Sequence, residues 1–410
     1  MTPASDSGLT ALVRGCGPTG ALAALALAEA GWGAITLLDP SPREALLRRQ
    51  RAYAFTHSSR RLLQDLQLWP ELCPRLEPFE QLQLADLGVD QGSTAAAVPF
   101  TTADLSRRSQ RRSQRRSLPT NGTTTTDPEA AVGWIAQHLD VMAVLLAAID
   151  RQPSIHLQLG QPPRHLDGSG YDLVVAADGP DSPSRQALGI QQWQWIYQQR
   201  CLTAQVHLRG VGAQQAWELF RPEGPMALLP LGGEKVQVVW SAGANRCRQL
   251  EGIASDAFLD RLAGALPDRF QPDALAVPPQ TFAVGLALAQ RLQAGNAVLV
   301  GESAHRCHPV GGQGLNLCWR DVAVLHALAR RVSQGRLAAA ALPRRYARGR
   351  WLDVLLTLAA TDLLVRLFSN RFPLLLPLRR AALVALRRVS LLRRLSLGVM
   401  TDGPCPLPRR

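Results

Sequence analysis

None of the seven cysteines (Cys16, Cys73, Cys201, Cys247, Cys307, Cys318, Cys405) stands in a C-x-x-C pair. Scattered and odd in number, they exclude a disulfide framework or a zinc ribbon and point to reduced thiols in a cytosolic compartment. No run of about 18 residues is both apolar and free of charge, which excludes a spanning helix. The opening MTPASDSGLTALVRGCGPTG has no basic stretch ahead of an apolar run, so no signal peptide is expected. Lysine is almost missing: Lys235 is the only one among 45 basic residues, a bias that genome composition can produce as readily as function.

What is present is a core-forming chain. Its 410 residues are 46% hydrophobic and 19% charged, a globular composition on a length that usually divides into two domains. The net charge of +13 is unevenly placed. Residues 106–126 hold six arginines and no acid, and residues 344–410 hold 14 arginines against Asp353, Asp362 and Asp402, so the remainder carries about −4. The body of the protein is not basic; two patches are.

Residues 10–39 read as strand, tight turn, helix and strand: LTALVR, GCGPTG, ALAALALAEAG closed by Gly31, then AITLLD. Such a βαβ opening implies a parallel sheet. Helical patterning returns at Ser58–Leu68 and Val141–Ile149, while YDLVVAADG (171–179) and NAVLVGE (296–302) read as buried strands. Between them, 190–285 reads as mainly antiparallel, with MALLPL and KVQVVW joined by Gly232-Gly233. The expected division is 1–189 with a basic insert at 105–126, an inserted sheet at 190–285, a return to the first domain at 286–345, and amphipathic helices at 346–410. The fold class is thus α/β, doubly wound, with an inserted antiparallel sheet and a helical C-terminal region.

GCGPTG fits the G-x-G-x-x-G fingerprint. Gly15 permits the tight turn, Gly17 lets a pyrophosphate approach the backbone, and Gly20 lets helix pack on strand. Pro18 and Thr19 open the helix whose positive end would meet the phosphates. Asp39, 24 residues after Gly15, can bind a ribose hydroxyl. No second fingerprint has a βαβ context, since GVGAQQ (210–215) lacks its third glycine. A separate domain for a nicotinamide cofactor is therefore not expected, and NAD(P)H is left as a candidate external electron donor.

The later motifs carry a resemblance. DGPDSPSR (178–185) has the D-G-x-x-S-x-x-R form of the aromatic-ring flavin hydroxylases. AHRCHPVGGQGLNLCWRDVAVL is similar to A-H-x-x-H-P-x-x-G-Q-G-x-N-L-x-x-R-D-V of the FAD-dependent hydroxylases of ubiquinone biosynthesis. RAYAFTHSSRRLLQDLQLW (51–69), AWELFRPEGPMALLPL (216–231) and TLAATDLLVRLFSN (357–370) resemble further segments of that family, in order along almost the whole chain. The resemblance implies a Rossmann-like FAD-binding domain contacted by Asp178, Gly179, Arg51, Glu302, Pro309, Gly312, Gln313, Gly314, Leu315 and Asn316. It implies hydroxylation of a polyprenylated phenol or quinol by O₂ through a flavin hydroperoxide, with no catalytic side chain identified. Trp217, Phe220, Pro225 and Met226 are candidate walls of the substrate pocket. Glu302 stands where the family has Asp or Asn, Cys318 replaces a glycine, and Asp39 replaces the commoner glutamate.

Rival readings remain. His305, Cys307 and His308 offer three adjacent ligands without a second cluster, a poor structural metal site, so no metal is expected. A Cys/His nucleophile would need an orienting acid that sequence cannot supply. Histidine packing and a small buried Cys307 are the plainer reading. In PLRRAALVALRRVSLLRRLS, Arg380, Arg387 and Arg394 share a heptad position beside apolar 378, 381, 382, 385, 389 and 392. That suits an anionic membrane surface, with a peripheral location at the inner face, or equally a core helix with a charged edge. RRSQRRSQRRS (107–117) lacks interleaved aromatics, so nucleic acid is not expected. The alternative functions are a related flavoprotein, such as a prenyl reductase or a halogenase (faintly, WQWI at 193–196), or a non-catalytic basic adaptor for membrane or nucleic acid.

Overall fold

The computed structural model describes residues 8–88, 94–105, 131–160, 170–370 and 372–405. The arginine-rich insert, Leu105 aside, lies outside them.

Strand Thr10–Arg14 pairs in parallel with Ala34–Asp39 on one side and Leu173–Ala176 on the other. Ile155–Leu159 and Ala297–Leu299 extend the sheet in parallel, and Gln293–Ala294 closes one edge antiparallel. The helix Pro18–Glu29 is apolar all round because it is covered all round: residues 20 to 27 are buried, against helices Gln313–Ser333 and His138–Asp150. Each leucine so covered contributes about 1.5–3 kcal/mol. Gly31 ends the turn after this helix at φ +87°, the left-handed region that suits glycine.

The second sheet has eight strands, in the order His305–Arg306, Gln271–Ala289, Gln192–Arg209, Lys235–Gly243, Met226–Pro230, Gln215–Phe220, Gln81–Asp86 and Val98–Thr101. It is not confined to 190–285. Strands from 81–101 complete it, and Gln81–Asp86 runs parallel to Gln215–Phe220, the one parallel pair in a sheet otherwise antiparallel. A three-stranded sheet, Ala52–Phe55, Gly133–Gln137 and Glu77–Phe79, joins the two larger ones.

The helix Leu342–Phe368 buries Tyr346, Arg350, Asp353, Val354, Thr357, Leu358, Thr361, Val365 and Phe368, a stripe at three- and four-residue spacing. The heptad expected over the last arginines is interrupted. Helices Leu376–Arg388 and Ser390–Asp402 meet at Val389, whose φ −106° and ψ 99° are extended. Their buried residues are Arg379, Leu383, Leu397 and Thr401, whereas Leu378, Val389 and Leu392 are exposed. Four of the six apolar positions expected to define a face (378, 381, 389 and 392) are therefore exposed together with Arg380, Arg387 and Arg394, and Ala382 and Ala385 are half-buried. Among the described residues, every exposed large apolar side chain except Leu139 lies in 193–196 or 352–399. No helix of the described residues is long and apolar enough to cross a membrane.

Candidate active site

The strand Thr10–Arg14 delivers Gly15 at φ +99°, where a Cβ would lie 2.3 Å from the Ala177 carbonyl oxygen. Gly20 packs closer still, since its Cβ would fall 1.8 Å from the Gly15 oxygen. A Cβ on Gly17, by contrast, would meet no protein atom within 4 Å. The turn is therefore tight on its inner side and open on its outer side. Gly17 caps the first helix without a side-chain hydrogen bond, Pro18 takes the first helical position, and no acid occupies the first turn. Its free N–H groups point a positive helix end at the open side.

A second helix end converges there. Gly311 (φ +67°) and Gly312 (φ +63°) turn the chain into helix Gln313–Ser333, again without a side-chain cap or an acid in the first turn. Between the two turns lies a cavity of about 1290 Å³. A site for one small molecule is usually about 300–1,000 Å³, so this one can take a dinucleotide and a second molecule.

Gly15, Gly17, Pro18, Thr19, Asp39, Arg51, Asp178, Gly179, Glu302, Pro309, Gly312, Gly314 and Leu315 all border the cavity. Three residues expected at the cofactor do not border it. Gly20 sits behind the turn, held by its packing on Gly15. Asn316 is fully buried and spent on the scaffold: its Oδ1 accepts from the Thr56 N–H and hydroxyl and from Ser59 Oγ at 2.7 Å, and its Nδ2 donates to the carbonyls of Ala54 and Gly312. Gln313 Nε2 donates to the carbonyls of Gly311 (3.1 Å) and Met400 (3.0 Å).

The acids that do border the cavity are partly engaged. Asp39 Oδ2 accepts from the Cys16 N–H at 2.6 Å and Oδ1 from the Ser41 N–H at 2.8 Å, so it ties the glycine turn to the second strand. Asp178 accepts from Ser182 Oγ and from the Ser184 N–H at 2.9 Å, while Arg185 Nη1 reaches the carbonyls of Pro180 and Ser303. DGPDSPSR thus fixes its own turn and docks it on the GES segment. Glu302 is exposed in the short helical turn Gly301–Ser303, with its side chain at the cavity rim. Arg51 lies with its guanidinium carbon 5.6 Å from the centre of the Phe282 ring.

The histidines and cysteines are structural. His305 Nε2 meets Asp321 Oδ2 at 2.7 Å, both buried. Burial alone would raise the Asp321 carboxyl, but His305 and Arg350 hold it down to about 2. Arg350 and Arg320 share Asp353, so a buried ion network joins this loop to helix Leu342–Phe368. His308 Nδ1 accepts from the Val310 N–H, and burial pushes the ring down to about 4. Burial pushes the thiols of Cys16, Cys201 and Cys307 up to about 12, which removes the thiolate a nucleophile needs. No metal-holding cluster occurs among the described residues.

The rest of the wall is sheet. Ala216, Glu218 and Phe220 face the cavity from one strand, Ala227 and Leu229 from the next, and Leu82 and Leu84 from the parallel strand beyond. Met226, expected as a wall residue, belongs to the opposite face with Leu228, because side chains alternate along a strand. Pro225 does not border the cavity. Trp217 borders it, but its ring stands edge-on to Phe270 in the core behind and its indole N–H binds the Val211 carbonyl. The wall residue that sequence reasoning missed is Glu218. Its signal was phase: a glutamate between Ala216 and Phe220 on the side of the strand that turned out to be covered.

A family model described as "FAD binding domain" matches residues 170–350. An uncharacterized protein of Synechocystis is 30% identical over 97% of this chain and 94% of its own length. The 3-demethoxyubiquinol 3-hydroxylase of Escherichia coli is 29% identical (94% and 96%), and the ubiquinone hydroxylase UbiL of Rhodospirillum rubrum is 29% identical (99% and 93%). The fold is shared with p-nitrophenol 4-monooxygenase PnpA of Pseudomonas putida, with TM-score 0.74 and 17% identity over 97% of this chain and all of the other. It is also shared with Klebsiella pneumoniae HpxO complexed with FAD and uric acid, with TM-score 0.70, 17% identity, and 98% and 100% covered. The FAD-binding family model and the hydroxylase relatives make the chain an FAD-dependent aromatic-ring monooxygenase, and its two glycine turns and helix ends border one cavity. The open outer side of Gly17 and the two uncapped helix ends fit the cofactor's pyrophosphate. The chain belongs to the FAD-dependent hydroxylases of ubiquinone biosynthesis.

Proposed function

We propose that this enzyme hydroxylates the ring of a polyprenylated phenol or quinol drawn from an anionic membrane surface, at its cytoplasmic face. Bound FAD supplies the activation of O₂, with reducing equivalents from an external donor of the NAD(P)H type. The chain's own work is to hold the flavin by Gly15, Gly17, Asp39 and Asp178 at one end, and to seat the ring in a dry compartment at the other.

The shape of the cavity mouth carries the reading. Leu363, Leu395 and Val399 are 63%, 58% and 46% exposed and also border the cavity. One continuous apolar surface therefore runs from the outside of the C-terminal helices into the interior. A prenyl tail can pass along it without leaving an apolar environment, and the same C-terminal helices carry the exposed Arg387 and Arg394. A prenyl reductase would share the tail path. Phe220, Phe282 and Val239 on the cavity wall favour a flat ring.

The test is a holoenzyme assay with a prenylated phenol in phosphatidylglycerol-containing liposomes, an NAD(P)H-linked reductant and isotopically labelled O₂. One labelled oxygen in the product supports the reading; reductant-dependent turnover with no oxygen gained by the ring overturns it. Neutralising Arg380, Arg387 and Arg394 together should weaken liposome binding on the order of 100-fold, at about 1 kcal/mol per arginine. Unchanged binding would sink the membrane part.

A further inference from the structure

Glu218 is buried on the cavity face of its strand, in a neighbourhood of Ala216, Phe220, Ala227 and Leu84. Its Oε2 accepts a long hydrogen bond, 3.4 Å, from the Gly311 N–H, and among the described residues no cation pairs with it. Gly311 belongs to the glycine turn that borders the same cavity, so Glu218 stands beside the start of helix Gln313–Ser333. A carboxylate buried beside a single weak donor is costly, and a plain sheet wall would be better served by leucine. Burial pushes its carboxyl up to about 7, where it can both accept and return a proton at neutral pH. The other ionisable groups nearby are the buried Cys201 thiol, which senses Glu218, and Arg51 at the cavity wall.

We infer that Glu218 receives the substrate's phenolic O–H and is its proton acceptor during ring hydroxylation. The inference rests on the phenol-hydroxylase reading above. The step is a proton transfer only: the phenolic O–H bond breaks, the proton passes to a Glu218 carboxylate oxygen, and the electron pair stays on the phenolate oxygen. The ring becomes more electron-rich, as an electrophilic oxygenation by flavin-activated O₂ requires. After oxygen transfer the C–H bond at that carbon breaks, its electron pair restores the aromatic ring and its proton leaves to solvent, and Glu218 then hands its own proton back to the phenolate oxygen. Nothing is oxidised or reduced at Glu218 itself.

The test compares wild-type holoenzyme with Glu218→Gln and Glu218→Leu, each checked for FAD content by its visible spectrum and for folding by its melting temperature. The probes are a prenylated phenol and its methyl ether, which has the same shape and no O–H. Binding is read from the perturbation of the flavin spectrum. Wild type should bind the phenol at least about tenfold more tightly than the ether, as a hydrogen bond to a charged acceptor provides. Glu218→Leu should lose that discrimination, and Glu218→Gln, which can still accept but not take the proton, should lose about 100-fold in turnover. The inference is overturned if Glu218→Leu discriminates as wild type does, or if Glu218→Gln turns over within about threefold of it. If wild type discriminates through Glu218 yet adds no oxygen, the phenol site stands and the hydroxylase reading falls. If wild type hydroxylates and the variants match it, only the Glu218 inference falls.

Discussion

Arg379 grips Asp86 with two parallel hydrogen bonds, Nε to Oδ2 at 2.7 Å and Nη2 to Oδ1 at 2.6 Å, and both side chains are fully buried. This pair fastens the helix Leu376–Arg388 to the end of strand Gln81–Asp86, 293 positions earlier in the chain. Removing one partner leaves the other charged in an apolar site. Arg379→Met should therefore destabilise by about 3–5 kcal/mol, and the Arg379→Met, Asp86→Leu double variant should recover a large part of that. Denaturant midpoints of the four proteins check it; additive losses would show that the two residues do not act as a pair.

The glycine turn is packed on its inner side and open on its outer side. Gly20→Ala forces a Cβ against the Gly15 carbonyl and should lower the stability of the FAD-free protein by about 1–3 kcal/mol. Gly17→Ala meets no protein atom, so the FAD-free protein should melt as wild type does while FAD retention falls. Melting curves of the stripped proteins, beside flavin absorbance of the reconstituted ones, distinguish the two. Full FAD retention by Gly17→Ala would contradict the assigned approach of the pyrophosphate.

Acid should act in two stages. Burial holds His57 and His308 down to about 4, against an ordinary 6.5, so the unfolded chain takes up those protons first. Their stabilising effect is complete above pH 6.5 and declines as pH falls toward 4, on the order of 3 kcal/mol each. Asp321, held at about 2, keeps its contribution above the ordinary carboxylate range and loses it as pH falls toward 2. Glu218 works oppositely. Raised by burial to about 7, it costs stability as pH rises from about 4.5 through 7. Melting temperature against pH should therefore rise more steeply between pH 4.5 and 7 in Glu218→Gln than in wild type. An unchanged slope would refute that sign.

Alkylation should sort the thiols by burial. Cys16, Cys201, Cys247, Cys307 and Cys318 are buried, whereas Cys73 and Cys405 are half-buried. Iodoacetamide on the native holoenzyme should label Cys73 and Cys405 first, and peptide mass spectrometry reads the order. Early labelling of Cys307 would reopen a nucleophilic role for it.

The parts of this fold that were legible are those written locally. The βαβ opening could be read because the apolar runs, the glycines and Asp39 lie within 30 consecutive residues, and helix His138–Asp150 because Val141–Ile149 is unbroken and apolar. What escaped depends on distance or phase. Strands Gln81–Asp86 and Val98–Thr101 join a sheet whose other members begin a hundred residues later, and no local pattern announces a parallel partner at Gln215–Phe220. Nothing local marks Arg379 for burial, because Asp86, the residue that makes its burial tolerable, is remote in sequence. The heptad across Val389 failed because a repeat of apolar residues does not reveal a break in the helix that carries it. Met226 and Ala227 exchanged roles through a one-residue error in strand phase, and the same alternation turns Glu218 inward. Asn316, taken for a flavin contact, is instead occupied by five hydrogen bonds that anchor Thr56, Ser59 and Ala54.

Gln313 uses a single amide nitrogen to hold Gly311 on one side and Met400 on the other. Met400 belongs to helix Ser390–Asp402, whose Leu395 and Val399 border the cavity, and Gly311 to the turn against which Glu218 rests. That nitrogen ties the turn at the cavity to the C-terminal helix, so a shift of Met400 would cost Gln313 one of its two carbonyl partners and leave the start of its own helix less firmly held.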